Sequence, residues 1–324
     1  MTDPSHLPSE ESSHKPVKRQ RPSQNSWALP ASIVFASLVF MGTSLYISRL
    51  KAATQASALN AVALPQQTKE NDITIDPESV LPSKGVELPI VWGDIGKRLI
   101  DSGVINNQKF ESLYAQRGGL SAEMKTLLTA SDNGKIRMTL ENAGVLLNIA
   151  WALGLGDKNP VLEQGPMNDK QYGGAGNFAS TGGWSLSTGD TMSHYSKHPF
   201  IVLTPDQQSL LEKVAKGIYR PCCGNSVYFP DCNHGMAMLG LLELMASQNV
   251  SEDDMFHAAL AVNSYWFPDT YVTITKFFAK QGVAWDKVSP REVLGANYSS
   301  SSGYRQILQQ VKPVQAGSGG GCSV

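Results

Sequence analysis

Residues 236–245 read MAMLGLLELM and are apolar on nearly every side of the helix they predict over 232–247. A helix with no polar face has to be enclosed by other elements, so it must sit at the centre of a helical domain. The flanking sequence supplies the enclosing helices. Thr204-Pro205-Asp206-Gln207 is a capping box with proline at the first helical position. Behind it Leu210, Leu211, Val214, Ala215 and Ile218 form one apolar stripe that ends before Pro221. Ser251 with Asp254 predicts a further N-terminus, 268–281 another helix closed by Gly282, and Ser289-Pro290 and Ser302 two short ones.

Upstream, Ile95, Leu99 and Ile100 fall at helical spacing, as do Phe110, Leu113 and Tyr114. Ser121 and Glu123 open a third helix with Leu127 and Leu128 inward. Thr139 caps a fourth through Val145, Leu146, Ile149 and Leu153, stopped by Gly154 and Gly156. No clean run of alternating residues marks a strand, and no 20–50-residue repeat is present. The expected class is all-α, with the helical domain over 91–312.

The N-terminal third reads differently. Residues 1–26 are rich in Pro and Ser and are expected to be a disordered tail. No charged residue occurs over 22–48, and 27–47 is mostly apolar with Trp27 and Tyr46 near its ends. About 20 apolar residues span a bilayer core, and aromatic residues favour its boundaries. The pattern predicts one transmembrane helix over 27–48. Lys15, Lys18, Arg19 and Arg21 precede it, while only Arg49 and Lys51 follow closely. This bias predicts a cytoplasmic N-terminus and an extracytoplasmic C-terminal domain, periplasmic or extracellular. A cleaved signal peptide ending near Ala56-Ser57-Ala58 is the competing reading; the long apolar run and the interrupting Arg49 and Lys51 weigh against it. Residues 49–90, Ala-rich and then punctuated by Pro65, Pro77, Pro82 and Pro89, read as a linker.

Within the helical domain 158–199 lacks helical signals, and 172–189 holds six glycines. Long loops inside domains are often functional, so this one is a candidate cover for a site. Trp184 within it either faces a ligand or pins the loop to the core.

Chemistry concentrates in 219–235, YRPCCGNSVYFPDCNHG, which brings Cys222, Cys223, Cys232 and His234 into thirteen residues between two predicted helices. With Asp231 as N-cap, Cys232 falls in the first turn, where the unsatisfied N–H groups and the helix dipole favour a thiolate. Three thiols and an imidazole suit a thiophilic ion, zinc or copper(I). The spacing C-C-x8-C-x-H is not that of a zinc finger. Three readings fit the set. In the first, Cys222, Cys223, Cys232 and His234 bind a metal ion, with Asp231 as an accessory group. In the second, Cys232 is the nucleophile of a thiol–disulfide or cysteine-dependent enzyme, His234 its base and Cys222 or Cys223 the resolving thiol. In the third, disulfides staple a non-catalytic scaffold.

Residues 313–324, PVQAGSGGGCSV, read as a flexible Gly-rich tail carrying Cys322, a further thiol that could reach the 222–234 loop. Other motifs carry less. His194 and His198 stand four apart but Pro199 follows directly. His257 is expected to be partly buried and structural. Gly174-x-Gly176-x-x-Ala179 lacks the strand before it and the helix after it that a dinucleotide fingerprint needs. Met236, Met238 and Met245 read as core residues. With 27 Lys+Arg against 28 Asp+Glu, the chain has no global attraction for nucleic acid. The sequence therefore predicts a membrane-anchored, extracytoplasmic helical domain with the membrane and a thiophilic metal ion as its partners.

Overall fold

The computed structural model describes residues 73–316. The expected tail 1–26, the expected membrane helix 27–48, most of the expected linker and Cys322 lie outside the described residues. Twelve helices or helical turns of four or more residues and two strands are described, joined by short 3₁₀ turns.

Strand β1 (Val86–Gly93) is followed by α1 (Ile95–Asp101), α2 (Asn107–Ala115) and α3 (Ala122–Thr129). Strand β2 (Asn133–Met138) leads into α4 (Ala143–Gly156) and the short α5 (Pro160–Gln164). After the glycine-rich interval come α6 (Pro205–Gly217), α7 (Asn233–Ser247), α8 (Glu252–Trp266) and α9 (Pro268–Lys280). Three short helices close the fold: α10 (Pro290–Val293), α11 (Ala296–Ser299) and α12 (Ser301–Leu308).

Helix α7 occupies the centre: every residue from Asn233 to Ala246 is buried. Helix α4 packs along it, buried from Leu146 to Gly156. The two run in the same direction. At one end Trp266 donates to Ala143 O at the start of α4 (3.2 Å) and packs against His234 at the start of α7. At the other, Asn159 just beyond α4 pairs with Gln208 (3.1 Å), whose neighbour Gln207 donates to Ser247 O at the end of α7 (3.3 Å).

The crossing is made by glycine. A Cβ on Gly154 would overlap Met236 O, and one on Gly240 would stand 2.6 Å from Gly154 N. Gly154 and Gly156, expected to stop α4, are instead helical residues within it. The capping box of α6 forms as its sequence dictates: Thr204 N–H donates to Gln207 Oε1 (2.9 Å) and Gln207 N–H to Thr204 Oγ1 (3.3 Å). Ser251 caps α8 through the Asp254 amide.

Two expectations are corrected. The expected helical class holds, but the expected absence of strands does not: β1 pairs antiparallel with β2 from Val86↔Met138 to Gly93↔Asn133. Leu88, Ile90 and Trp92 alternate into the core, but Pro89 and the exposed Val91 interrupt the polar half of the pattern. In β2, Gly134 and two basic residues conceal a strand that buries Ile136 and Met138. The pairing shifts register between Glu87 and Val91, where Pro89 has no N–H to give. Strand β1 begins inside the stretch read as linker, which also holds the buried Val80 and Leu81.

The second correction concerns the membrane. No helix among the described residues is long and apolar enough to cross one. On that finding the single-pass placement, with a cytoplasmic N-terminus and an extracytoplasmic domain, is withdrawn.

Candidate metal centre

The segment between α6 and α7 is folded by its own backbone before any side chain is counted. Val227 N–H donates to Ile218 O (2.8 Å) and Tyr219 bridges Ser226, making a narrow loop with Cys222 and Cys223 at its tip. Ser301 N–H, at the first residue of α12, holds the Cys223 carbonyl (2.8 Å). The chain then returns to the N-terminus of α7, which brings Cys232 and His234 under the tip.

The helix starts one residue later than its sequence suggests. Cys232, not Asp231, is the N-cap of α7, and its Sγ accepts from Gly235 N–H at 3.4 Å. A sulfur acceptor takes the place of the usual cap oxygen, so the orphan amide of the first turn is turned toward sulfur.

Three ligand atoms converge here. Cys222 Sγ, Cys232 Sγ and one ring nitrogen of His234 all lie within 4.8 Å of one another. Cys222 Sγ stands 3.5 Å from Cys232 Sγ and 3.9 Å from His234 Nδ1. A zinc tetrahedron with Zn–S near 2.3 Å and Zn–N near 2.05 Å has S···S edges of about 3.8 Å and S···N edges of about 3.6 Å. The observed edges match it to about 0.3 Å. A Cys2His set of this geometry could hold a metal such as zinc. Cys223 Sγ is 3.3 Å from Cys222 Sγ but belongs to a second set, with Asp231 and Cys232. No sulfur pair among the described residues is at bonding distance, since an S–S bond is about 2.05 Å.

Arg220 organises the site, and nothing in its sequence neighbourhood marked it. Its side chain is 1% exposed. Nε donates to Cys232 Sγ (3.2 Å), Nη1 to Asn225 O (2.8 Å), and Nη2 to Phe229 O (3.0 Å) and to Asp231. Asp231, read as a cap, is instead the counter-ion of this buried cation; it also accepts from Asn225 (2.9 Å) and groups with Cys223 and Cys232. The guanidinium lies flat against the first turn of α7: a Cβ on Gly235 would stand 2.6 Å from its Cζ. Gly235 is the signal that could have revealed Arg220, as a glycine where a helix opens onto a large buried group.

These partners set the charge state. Hydrogen bonds from Cys222 and Cys223 hold the Cys232 thiol well below the ordinary thiol range, and Arg220 adds to the effect against the cost of burial. For Cys223 the bond with Cys222 acts downward, but the bond to Cys232, burial and the Cys232 charge outweigh it and push the thiol up to about 12. The cluster therefore concentrates negative charge on Cys232. His234 is fully buried, with its ring against Phe267 (centroids 4.4 Å apart) and Trp266 (5.7 Å).

The glycine-rich interval packs on this loop. Ser180 N–H donates to Asp231 O (3.2 Å), and Tyr172, Phe178 and Phe229 meet edge to face with centroids 5.4 Å apart. Trp184 is turned inward; its Nε1–H donates to Val104 O (2.9 Å) and its ring meets Trp151. His194 and His198 are bonded to each other (3.1 Å) and His194 to Thr188 O (2.9 Å), and among the described residues they join no group that could hold a metal. His257 is exposed rather than partly buried, with Nδ1 on Asp253 O (2.8 Å). Met236, Met238 and Met245 are core residues.

Comparison with protein-family models, curated proteins and solved structures finds no match to this chain.

Proposed function

We propose that this protein binds a thiophilic metal ion through Cys222 Sγ, Cys232 Sγ and His234 Nδ1. The observation that carries the reading is the convergence of these three groups within 4.8 Å, with the two edges from Cys222 close to those of a zinc tetrahedron. Charge accounting supports zinc. Two thiolates neutralise Zn²⁺, and Arg220 neutralises Asp231, so no net charge is left at a half-buried site. Copper(I) with the same two thiolates leaves one negative charge uncompensated, since Arg220 is already paired with Asp231.

Zinc titration of the reduced full chain against a chromophoric chelator tests the reading. One tightly held ion per chain is expected, lost in Cys232→Ser. A wild-type chain that takes up no ion, or a Cys232→Ser chain with full stoichiometry, overturns it.

One observation favours a second reading. A depressed Cys232 thiol beside an exposed Cys222 is also the arrangement of a dithiol exchanger. Cys232 would attack a partner disulfide, releasing one partner thiolate, and Cys222 would resolve the mixed disulfide, leaving a Cys222–Cys232 bond and a reduced partner. The two readings compete for the same sulfurs, so added zinc suppresses any exchange activity.

A further inference from the structure

The zinc set uses two of three neighbouring sulfurs and gives Cys223 no role. Cys222 Sγ stands 3.3 Å from Cys223 Sγ and 3.5 Å from Cys232 Sγ, and Cys223 Sγ lies within 4.8 Å of Cys232 Sγ. The sulfurs are held by separate constraints. Cys223 is tied at the loop tip by its N–H to Arg220 O (3.2 Å) and by its carbonyl to Ser301 N–H (2.8 Å). Cys232 is fixed as the cap of α7 and by Arg220 Nε. A second cation on Cys223, Asp231 and Cys232 does not account for the third sulfur. Both Asp231 oxygens are engaged, one by Arg220 and one by Asn225, and the guanidinium already supplies the positive charge there. A disulfide would pair two of the sulfurs and leave one over.

We infer that Cys222, Cys223 and Cys232 together form a three-sulfur site for trivalent arsenic, taken up as arsenious acid. The sulfur spacing carries the inference. For bonds of about 2.3 Å to sulfur, the S···S edge is about 3.8 Å at the tetrahedral angle and about 3.3 Å at a right angle. The two edges from Cys222, 3.3 and 3.5 Å, lie toward the right-angled end. Arsenic(III) is a soft centre that prefers thiolate sulfur. Its lone pair occupies one apex, so it takes three sulfurs as a pyramid and draws the angles between them toward a right angle. The reaction balances without a redox partner. As each S–As bond forms, one As–O bond breaks, and the thiol proton leaves with the hydroxyl as water; for a sulfur already deprotonated, solvent supplies that proton. Three waters are released, arsenic stays trivalent, and the uncharged product leaves the Arg220–Asp231 pair in balance. Arsenious acid is itself small and uncharged, and the exposed Cys222 offers it a first sulfur before the two half-buried ones. Sulfurs fixed in advance lose less freedom on chelation. His234 takes no part, which separates this ligand set from that of zinc.

The inference rests on the reading of this loop as a thiophilic-ion site, and the test separates it from the zinc set. The full chain is used with Cys322→Ser, which leaves Cys222, Cys223 and Cys232 as its only thiols. X-ray absorption at the arsenic edge is measured on the reduced chain with arsenite, beside a zinc titration of the same chain. The expected result is one arsenic per chain bonded to three sulfurs. Adding Cys223→Ser should lower the count to two, with an oxygen replacing the third, and weaken arsenite binding by on the order of 10²-fold. It should leave the zinc stoichiometry unchanged, which also shows that the loop still folds. Two sulfurs or fewer in the starting chain, or no arsenic bound while zinc is held, overturns the arsenic site and leaves the zinc set standing. Three sulfurs on arsenic with no zinc uptake supports the arsenic site and overturns the zinc set. A chain that takes up neither overturns both.

Discussion

At the scale of single residues, the state of Cys232 depends on a neighbour that touches no metal. Gly235 leaves room for the Arg220 guanidinium, and Arg220 donates to Cys232 Sγ. In Gly235→Ala the new methyl would stand 2.6 Å from Cζ and Nη2, inside contact distance of a group already held by four bonds. The guanidinium has to move away from the sulfur. The thiolate then loses a charge-assisted bond, and its titration midpoint should shift upward toward an ordinary thiol. Overpacking of this kind also costs about 1–3 kcal/mol of stability. Ultraviolet thiolate absorbance against pH checks it, with Cys232→Ser identifying the midpoint; a midpoint unmoved in Gly235→Ala contradicts the account. The Cys222, Cys232 and His234 cluster was legible in the sequence because thirteen residues between two helix signals held it, whereas Cys223, read with them, groups with Asp231 and Cys232. Arg220 was not, because a lone arginine before a proline looks like surface charge until the chain folds back over it. The Asp231 cap was misplaced by one residue for a related reason. Its carboxylate is drawn to the buried arginine, and a sulfur then takes the cap.

At the scale of elements, the close crossing of α4 and α7 fixes where His234 stands. Their backbones meet at Gly154 and Gly240, where a side chain on either would run into the other helix. The clash in Gly154→Ala is with Met236 O, a backbone atom that cannot rotate aside. The helices must separate, at a cost of about 1–3 kcal/mol. Gly240→Ala meets the same seam, so the double variant should lose less than the sum of the single losses. Urea unfolding of the three variants reads this, and wild-type stability in Gly154→Ala would show that the seam is looser than described. Separation of the helices also shifts the α7 N-terminus, so zinc affinity should fall in the same variants. The helices themselves were readable from caps and apolar spacing, as at Thr204, Ser251 and the 236–245 run. What sequence alone misread was glycine, taken at Gly154 as a stop because its other use, letting a second backbone approach, needs a partner far along the chain. The strands were hidden for a similar reason: Pro89 and Val91 break an alternation that becomes visible only when β1 is paired with β2.

At the scale of the whole molecule, the parallel pair of α4 and α7 has a cation-binding candidate at one end and a pair of buried acids toward the other. Glu243 on α7 is fully buried, and neither of its oxygens has a hydrogen-bond partner among the described residues. Asp157, immediately after α4, accepts from Ile201 N–H (2.9 Å) through Oδ1, while Oδ2 has no such partner. Burial pushes Glu243 well above the ordinary carboxyl range, and the charge of Asp157 pushes it further. Burial raises Asp157 to about 7, against the downward pull of backbone amides at 201, 200 and 158 and of Arg98. Both folded values exceed the unfolded ones, so the folded state holds more protons. The stability these groups contribute is fully present below their unfolded values near 4, and it is lost as pH rises through the folded values. Between about pH 5 and 8 this pair should therefore make the protein less stable as pH rises, opposite to the effect of salt-bridged carboxylates. Glu243→Gln keeps the shape and removes the charge. It should flatten the slope over that window and stabilise the chain at the upper end by on the order of 1–3 kcal/mol, with near parity at the lower end. Thermal unfolding at several pH values, with a chelator present to remove any metal linkage, separates the acid pair from the cysteine site. Parallel wild-type and Glu243→Gln curves would mean that the two carboxyls do not titrate together in the folded protein. A flattened variant curve would make the same helix pair responsible both for placing the Cys/His cluster and for the pH response of the fold.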